Sequence, residues 1–132
     1  LAQQNDILPI LNETDTKVMA WGPLGGQGAD GIVKNETLSA IGTKYGKTAA
    51  QVALRWLTQR GIVAIPKSVH VERMQQNFDI FDFTLTAEEM AQVATLNQQD
   101  AGFINFSDPA FVSPSLTGKI IFHKFSVYFE GF

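Results

Sequence analysis

The chain has 132 residues, of which 45% are hydrophobic and 17% charged, and this length and composition are typical of a single globular domain with a core. Its formal net charge of −3 argues against nucleic-acid and anionic-membrane partners, because these require a surplus of cations on one face. With no cysteine it has neither a disulfide nor a thiolate metal site, and a reducing, cytoplasmic location fits. Residues 1–9 do not have the pattern of a signal peptide, and no apolar stretch approaches the roughly 20 residues that span a bilayer.

Hydrophobic periodicity, glycines and prolines divide the chain into alternating helices and strands. In chain order the predicted elements are a helix at 6–13, a strand at 17–21, a glycine-rich loop at 25–31, a helix between Asn35 and Gly46, a helix between Thr48 and Gly61, a strand at 62–65, a helix at 71–78, an extended piece at 81–83 and a helix that begins after Thr86. This alternation of helices with short apolar strands is typical of the α/β class.

Capping signals support the ends of these helices. Asn35 is a preferred N-cap residue, and Gly46 and Gly61 follow the last turns of the two central helices. Thr86 and Glu89 have the spacing of a capping box, in which each side chain bonds the backbone of the other residue. We therefore expect helix boundaries close to these residues.

The apolar residues predict a core between helices and a covered sheet. One helical stripe consists of Ala49, Val52, Ala53, Trp56 and Leu57. The strand at 62–65 does not alternate with polar residues, and this predicts that it is buried on both faces.

The aromatic residues assigned to packing are Trp56, Phe81 and Phe83. Solvated or capping roles, rather than catalytic ones, are assigned to Asp82, Glu88 and Glu89, because no partner carboxylate or histidine lies at a useful spacing.

The segment after the second strand carries the main functional signal. Lys67 and Ser68 come directly after the strand, and Arg73 lies on the helix that follows. The N-terminal amides of a helix together with two fixed cations suit a dianion, so this arrangement predicts a phosphate site and makes a nucleotide the first ligand to consider. In the alternative interpretation, Arg73 is a solvated helix charge that pairs with Glu72 or Asp79.

Several stretches of the sequence resemble the aldo-keto reductases. They are Trp21-Gly22-Pro23-Leu24-Gly25, residues 44–56, Ile65-Pro66-Lys67-Ser68 with Arg73 and Asn77 behind it, residues 81–86 and residues 103–112. The first is similar to the Tyr-Ser-Pro-Leu-Gly that follows the family's seventh strand. The third is similar to the end of its last barrel strand and the helix beyond. Several matches in the right order are far more specific than one short motif.

The resemblance implies an α/β fold, namely the C-terminal portion of a TIM (β/α)8 barrel with the seventh and eighth strand-helix units plus the C-terminal tail. Such a barrel takes roughly 250 residues or more, and the resemblance places the start of this chain just before the seventh strand. Residues 1–116 are then the C-terminal part of an aldo-keto reductase-like barrel. Residues 117–132 form an unrecognised tail that is aromatic and strand-prone.

The resemblance also assigns cofactor-binding roles on both loops. The implied cofactor is NADP, and the implied binding residues are Trp21, Pro23, Leu24, Gly25, Gly26, Ile65, Pro66, Lys67, Ser68, Val69, His70, Arg73, Gln76 and Asn77. Lys67, Ser68 and Arg73 would contact the 2′-phosphate side of the adenosine, where Arg offers a planar fork and Lys a point charge. Asn77 would hydrogen-bond the adenine.

The loop after the first strand would hold the other end of the cofactor. Trp21 corresponds to the family's aromatic residue that stacks on the nicotinamide ring, and the alternative is a core tryptophan at a strand end. Gly25 and Gly26, with Leu24 before them, would offer backbone to the pyrophosphate, because glycine permits close approach. Gly22 stands where the family has serine, so the resemblance implies that this side-chain hydrogen bond to the cofactor is lost.

The catalytic Asp, Tyr, Lys and His of the family lie on earlier strands, so we expect no catalytic residue and no metal ligand in this chain. Neither Tyr45 nor Tyr128 matches the family's proton donor. The resemblance therefore implies the cofactor-binding part of an NADPH-dependent oxidoreductase that reduces aldehydes or ketones to alcohols. By itself the chain is expected to be inactive.

The expected partners are NADPH and a small carbonyl substrate in the complete protein, together with either self-association or a second polypeptide that supplies the missing strands. Two alternatives remain open on the sequence alone. The chain is a non-catalytic nucleotide-binding or assembly fragment, or it is a truncated product. Three phenylalanines of the tail would line the substrate pocket or simply cap the barrel, namely Phe103, Phe106 and Phe111.

Overall fold

The computed structural model describes residues 3, 5, 8–25 and 30–97. Its helices and strands are α1 (Leu8–Glu13), β1 (Met19–Trp21), α2 (Asp30–Val33), α3 (Glu36–Tyr45), α4 (Ala49–Gln59), β2 (Val63–Ile65), α5 (Val71–Phe78) and α6 (Ala87–Ala94). The predicted alternation of helices and strands is confirmed. The stretch at 103–112 and the tail at 117–132 lie outside the described residues.

Helix α2 corrects the prediction of a glycine-rich loop over 25–31. The structure forms one helical turn over Asp30–Val33, which overlaps the end of that loop. A single turn is too short to show a hydrophobic period, and Gly31 lowers its helix propensity. Ile32 within it is 3% exposed and joins the core, so a tertiary contact stabilises a turn that the local sequence does not favour.

Strands β1 and β2 form a two-stranded parallel sheet within the described part of the chain. Met19 pairs with Val63, Ala20 with Ala64 and Trp21 with Ile65. Three helices connect the two strands, as a parallel pair requires a long crossover. Both strands therefore end at the same edge of the sheet.

The prediction that the strand at 62–65 is buried on both faces is wrong for the described residues. Ala20 of β1 is 1% exposed beneath the helices, whereas the opposite face carries four half-exposed side chains. They are Met19, Trp21, Val63 and Ile65, between 42% and 53% exposed. Side chains alternate between the faces of a strand, so a run of apolar residues indicates that both faces are apolar. It does not show which parts of the protein cover each face. Helices of the described residues cover one face.

The core lies around α4, which packs against α2, α3, α5 and β2. The predicted apolar stripe of α4 is confirmed, since all of its residues are at most 5% exposed, namely Ala49, Val52, Ala53, Trp56 and Leu57. Trp56 is 2% exposed and donates its indole N–H to the Met90 carbonyl at 3.1 Å, as a buried indole requires. Phe83 is also buried.

Phe81 departs from its predicted packing role, since it is 62% exposed. Its ring meets the ring of Phe78 edge to face, with centroids 6.1 Å apart. The guanidinium of Arg55 lies 6.0 Å from the Phe81 centroid, within the range of a cation–π contact. These contacts hold the ring at the surface instead of in the core.

The capping predictions are confirmed. Asn35 accepts a hydrogen bond from the Leu38 amide at 3.0 Å, and Gly46 takes the left-handed conformation with φ +65° at the end of α3. Thr86 and Glu89 form the expected capping box at the start of α6. Helix α4 has a second capping box, between Thr48 and Gln51, which the sequence analysis did not identify.

Gly42 marks the closest approach between α3 and the turn that leads into α4. A Cβ atom at this position would lie 2.3 Å from the carbonyl oxygen of Lys47 and 3.3 Å from a methyl group of Val52. The Lys47 carbonyl is backbone that closes the turn, and the Lys47 amide donates to Gly42 O at 2.9 Å. A side chain at this position must displace the turn.

We expect Gly42→Ala to lower the free energy of unfolding by roughly 1–3 kcal/mol, because the added methyl group overpacks a rigid backbone contact. Urea unfolding followed by circular dichroism measures the change. Gly31→Ala is the matched control, since its Cβ would meet nothing within 4 Å and a helical glycine gains stability on this change. Equal effects of the two substitutions would show that the close approach at Gly42 does not limit the packing.

Candidate functional site

The sheet brings the two predicted halves of the site to one edge. Trp21 and Ile65 are register partners at the ends of parallel strands. The loop that begins at Gly22 and the segment that begins at Pro66 therefore leave the sheet side by side. Ligands of α/β folds bind at this edge, beyond the carboxyl ends of the strands.

The loop after β1 is a tight turn that depends on glycine. Gly22 and Gly25 both have positive φ, of +61° and +87°, and the Gly25 amide donates to the Gly22 carbonyl at 2.8 Å. Pro23 is fully buried at the centre of the turn, while Leu24 is half-buried against the core. Gly26, predicted to contact the pyrophosphate, lies outside the described residues. The turn thus holds its backbone directly beyond the half-exposed Trp21.

The segment after β2 is ordered by Ser68. The His70 amide donates to Ser68 Oγ at 3.1 Å, and Ser68 Oγ donates to the His70 carbonyl at 3.3 Å. Such a local side-chain turn redirects the backbone from strand into helix. Lys67 and Val69 are exposed on either side of it. The serine therefore has a structural role besides the phosphate contact that was predicted for it.

Helix α5 begins with an open N-terminus. His70 is its N-cap residue and makes no side-chain capping hydrogen bond. In contrast, side chains of Asn35, Thr48 and Thr86 cap α3, α4 and α6. The first amides of a helix without a capping side chain are available to an anion, and the helix dipole attracts negative charge there.

The side chains that α5 contributes to the predicted cofactor site are accessible. Arg73 and Gln76 are exposed and Asn77 is half-buried. The carboxylate of Asp79, one of the alternative partners of Arg73, pairs instead with Lys47 at 2.7 Å. Within the described part of the chain, no ion pair joins Arg73 to Glu72 either. The geometry leaves the Arg73 guanidinium available to a ligand.

Two residues that the sequence analysis did not single out anchor the far end of α5. Lys47 Nζ lies 2.7 Å from one oxygen of Asp79 and 2.7 Å from one oxygen of Asp82, and its side chain is only 7% exposed. Gln51 Nε2 donates to the Asp79 carbonyl at 2.8 Å. The hydrogen bonds to Asp79 and Asp82 raise the pKa of Lys47 although burial opposes the shift, and the bond from Lys47 lowers the pKa of Asp82. These partners lie about 30 residues apart in sequence, so no local pattern predicts them.

A second charge cluster, around the buried Glu89, fixes α6. Glu89, assigned to a solvated or capping role, caps α6 and is also 4% exposed. It accepts from the Tyr45 hydroxyl at 2.6 Å and from Lys44 at 3.0 Å. Burial by itself would raise the pKa of Glu89, but the hydrogen bonds from Tyr45, the Thr86 backbone and Lys44 outweigh it and lower the pKa. The bond to Glu89 in turn raises the pKa of Tyr45, which keeps this phenol protonated.

An open surface cleft lies away from the predicted site, beside the C-terminal half of α5. Its lining residues are Met74, Gln75, Phe78, Asp79, Phe81 and Asp82. None of them belongs to the predicted cofactor residues. Across residues 3, 5, 8–25 and 30–97, no group of three histidines or carboxylates is placed to hold a metal ion. The helices in those ranges are also too short or too polar to cross a bilayer.

The sequence matches the model of the aldo/keto reductase family over residues 1–98. It is 44% identical to the 9,11-endoperoxide prostaglandin H2 reductase of Trypanosoma cruzi over 98 residues, which cover 74% of this chain and 35% of that protein. Among solved structures, the aldo-keto reductase MGS-M4 from a Medee basin deep-sea metagenome library matches with a TM-score of 0.76 and 36% identity, over 81% of this chain and 39% of that one. A variant of Gox0644 in complex with NADPH matches with a TM-score of 0.69 and 32% identity, over 75% and 35%.

The fold, the motifs and these similarities agree, and the chain belongs to the aldo/keto reductase family. It is therefore related to a family of oxidoreductases, whose solved members fold as TIM barrels. The chain spans about a third of the length of the relatives and structures that it matches.

Proposed function

We propose that this chain is the cofactor-binding part of an NADP-dependent aldo-keto reductase that reduces aldehydes or ketones to alcohols. The observation that carries the proposal is the open N-terminus of α5 directly beyond the edge where β1 and β2 end together. An anion site at the end of a parallel strand suits a phosphorylated dinucleotide. The complex of the similar Gox0644 variant with NADPH supports the choice of cofactor.

In this proposal the 2′-phosphate of NADP lies at the start of α5. Arg73 presents its guanidinium fork to the phosphate oxygens, and Lys67 adds a point charge from the end of β2. Ser68 both orders the turn and offers a hydroxyl to the phosphate, since its Oγ lies beside the backbone of the N-cap residue His70. Asn77, one turn after Arg73 on the same face, hydrogen-bonds the adenine. Ile65, Pro66, Val69, His70 and Gln76 complete this half of the site.

The nicotinamide end of the cofactor lies against Trp21. This side chain is 48% exposed on the face of the sheet that the helices do not cover, and Ile65 lies beside it in register. Pro23, Leu24, Gly25 and Gly26 shape the backbone that faces the pyrophosphate. When bound, the cofactor supplies the hydride for the carbonyl carbon. The residues of this chain hold the two ends of the cofactor and so fix the position of the ring.

The proton donor and its assisting residues come, in this proposal, from barrel strands outside this chain. Residues 1–116 then form the seventh and eighth units of the barrel with the tail behind them, and 117–132 is a separate segment. A small carbonyl substrate, a cytoplasmic location and association with the missing strands belong to the same proposal. An alternative is an assembly fragment without catalysis, favoured by the exposed apolar face of Met19, Trp21, Val63 and Ile65.

Arg73→Ala in a complete barrel that contains these residues should weaken NADPH binding by about one to two decades and leave NADH binding nearly unchanged. A charge-assisted hydrogen bond contributes roughly 1.5–3 kcal/mol, and only NADPH has the 2′-phosphate that receives it. Fluorescence titration with both cofactors gives the two dissociation constants. Arg55→Ala serves as the control, because Arg55 bonds Gln59 and Thr84 away from the site. Equal losses for both cofactors would reject the phosphate role of Arg73.

Trp21 should report cofactor binding through its fluorescence. Stacking on the nicotinamide should quench the Trp21 indole when NADPH binds to the complete barrel, whereas Trp56, buried in the core, should not respond. Trp21→Phe should therefore abolish most of the quench and Trp56→Phe should retain it. A full quench in the Trp21→Phe protein would move the stacking role to another residue.

The 132-residue chain alone should neither reduce carbonyls nor remain a monomer. Both strands of its described sheet have an unpaired edge, and one face of the sheet is apolar and half-exposed. Light scattering should show self-association, and NADPH oxidation with a generic aldehyde should be undetectable. Addition of a polypeptide that carries the first six barrel units should restore turnover if the chain is a reductase part. A monodisperse monomer with measurable turnover would contradict both halves of this prediction.

A further inference from the structure

Helix α5 is held in an unusual way for a helix that carries binding residues. It buries no side chain, and its apolar residues are largely exposed. They are Val71 at 62%, Met74 at 47% and Phe78 at 78%. Hydrophobic packing normally sets the rotation of a helix about its axis, and the described residues provide little of it here.

Polar contacts at the C-terminal end replace this packing. Asp79, the C-cap residue of α5, receives Lys47 on its carboxylate at 2.7 Å, and its carbonyl accepts from Lys47 at 3.3 Å and from Gln51 at 2.8 Å. A second carboxylate, that of Asp82, also accepts a hydrogen bond from Lys47, at 2.7 Å. A lysine side chain that is only 7% exposed and paired with two carboxylates has few alternative positions, and its pKa is raised, so it stays charged.

The anchor is itself rigid. Lys47 belongs to the turn in which its amide bonds Gly42 and its carbonyl packs where a Gly42 Cβ would lie. Gln51 is buried in the first turn of α4, where it also completes the capping box with Thr48. The side chains that hold α5 therefore project from a closely packed turn and from the first turn of the core helix α4.

We propose that Lys47 is a positioning residue for the cofactor phosphate site, because through Asp79 it fixes the rotation of α5 and so the direction of Arg73. Asp79 lies six positions after Arg73, which is about 9 Å along a helix axis, so Lys47 acts on Arg73 from a distance and does not belong to the contact set of the ligand. It acts by holding a helix that would otherwise turn or fray at its C-terminal end. This inference rests on the proposed NADP site and adds to it a residue that lies outside the contact set.

The test compares dissociation constants for NADPH and NADH in the complete barrel. Lys47→Met should weaken NADPH binding by about three- to tenfold, change NADH binding by less than twofold, and leave kcat at saturating NADPH nearly unchanged. Lys47→Arg, which keeps the charge and the donors, should recover most of the preference for NADPH. A loss of kcat with unchanged cofactor preference would overturn the positioning role.

Lys44→Met is the matched control. Lys44, in the last turn of α3, also forms an ion pair with a carboxylate, but its partner is the buried Glu89 on α6, at 3.0 Å. Its removal should leave the preference between cofactors unchanged. If it shifts that preference as much as Lys47→Met does, a general loss of rigidity explains both effects and the inference fails.

A double-mutant cycle with Arg73 separates this inference from the proposed function. If Lys47 acts through Arg73, Lys47→Met should have no further effect on cofactor preference in the Arg73→Ala protein. Additive losses would overturn the positioning role and leave the phosphate role of Arg73 intact. An Arg73→Ala protein with unchanged preference would instead reject the phosphate site and this inference with it. If Lys47→Met does not fold, Asp82→Asn removes half of the anchor from the exposed side, and the same outcomes apply to it.

Discussion

The parallel pairing of β1 with β2 is the constraint on which the candidate site depends. Three residue pairs set the register, and the Val63 amide extends it by donating to the Val18 carbonyl at 2.9 Å. A shift of one residue would exchange the two faces of a strand, so the burial of Ala20 under the helices strongly selects this register. The same register brings Trp21 and Ile65 together and sends both loops out from one edge.

The two ends of α5 differ in what satisfies their polar groups, and the proposed binding role lies at one end only. Its N-terminus has no capping side chain, which costs stability and leaves donors for a ligand. Its C-terminus is fixed by Lys47, whose burial is compensated by the carboxylates of Asp79 and Asp82. A helix that is open at one end and held by charges at the other keeps the residues of the proposed site accessible without relying on a packed face.

Local signals account for what the sequence could predict. The caps at Asn35 and Thr86 were predicted because a cap and its partner lie within one turn. The ion pair between Lys47 and Asp79 joins residues 32 apart in sequence, so no local pattern contains it. The exposure of one sheet face depends on which elements pack against it, and an apolar run in the sequence does not identify them. For the same reason Phe81, assigned to packing as an aromatic residue, lies at the surface against Arg55. Family membership was predictable because the motifs are contiguous, whereas the roles of individual site residues stay predictions.

The exposed face of the sheet and the proposed nicotinamide position are linked by strand geometry. Trp21 alternates with Ala20, so it projects on the same face as Met19, opposite to the helices. In register with it, Val63 and Ile65 add apolar surface to that face. Any group that covers this face must therefore pack beside the Trp21 ring. The burial of the face and the environment of a ligand stacked on Trp21, as proposed, then depend on the same contact. The strands that complete such a sheet would thus influence cofactor affinity even where they do not touch the cofactor.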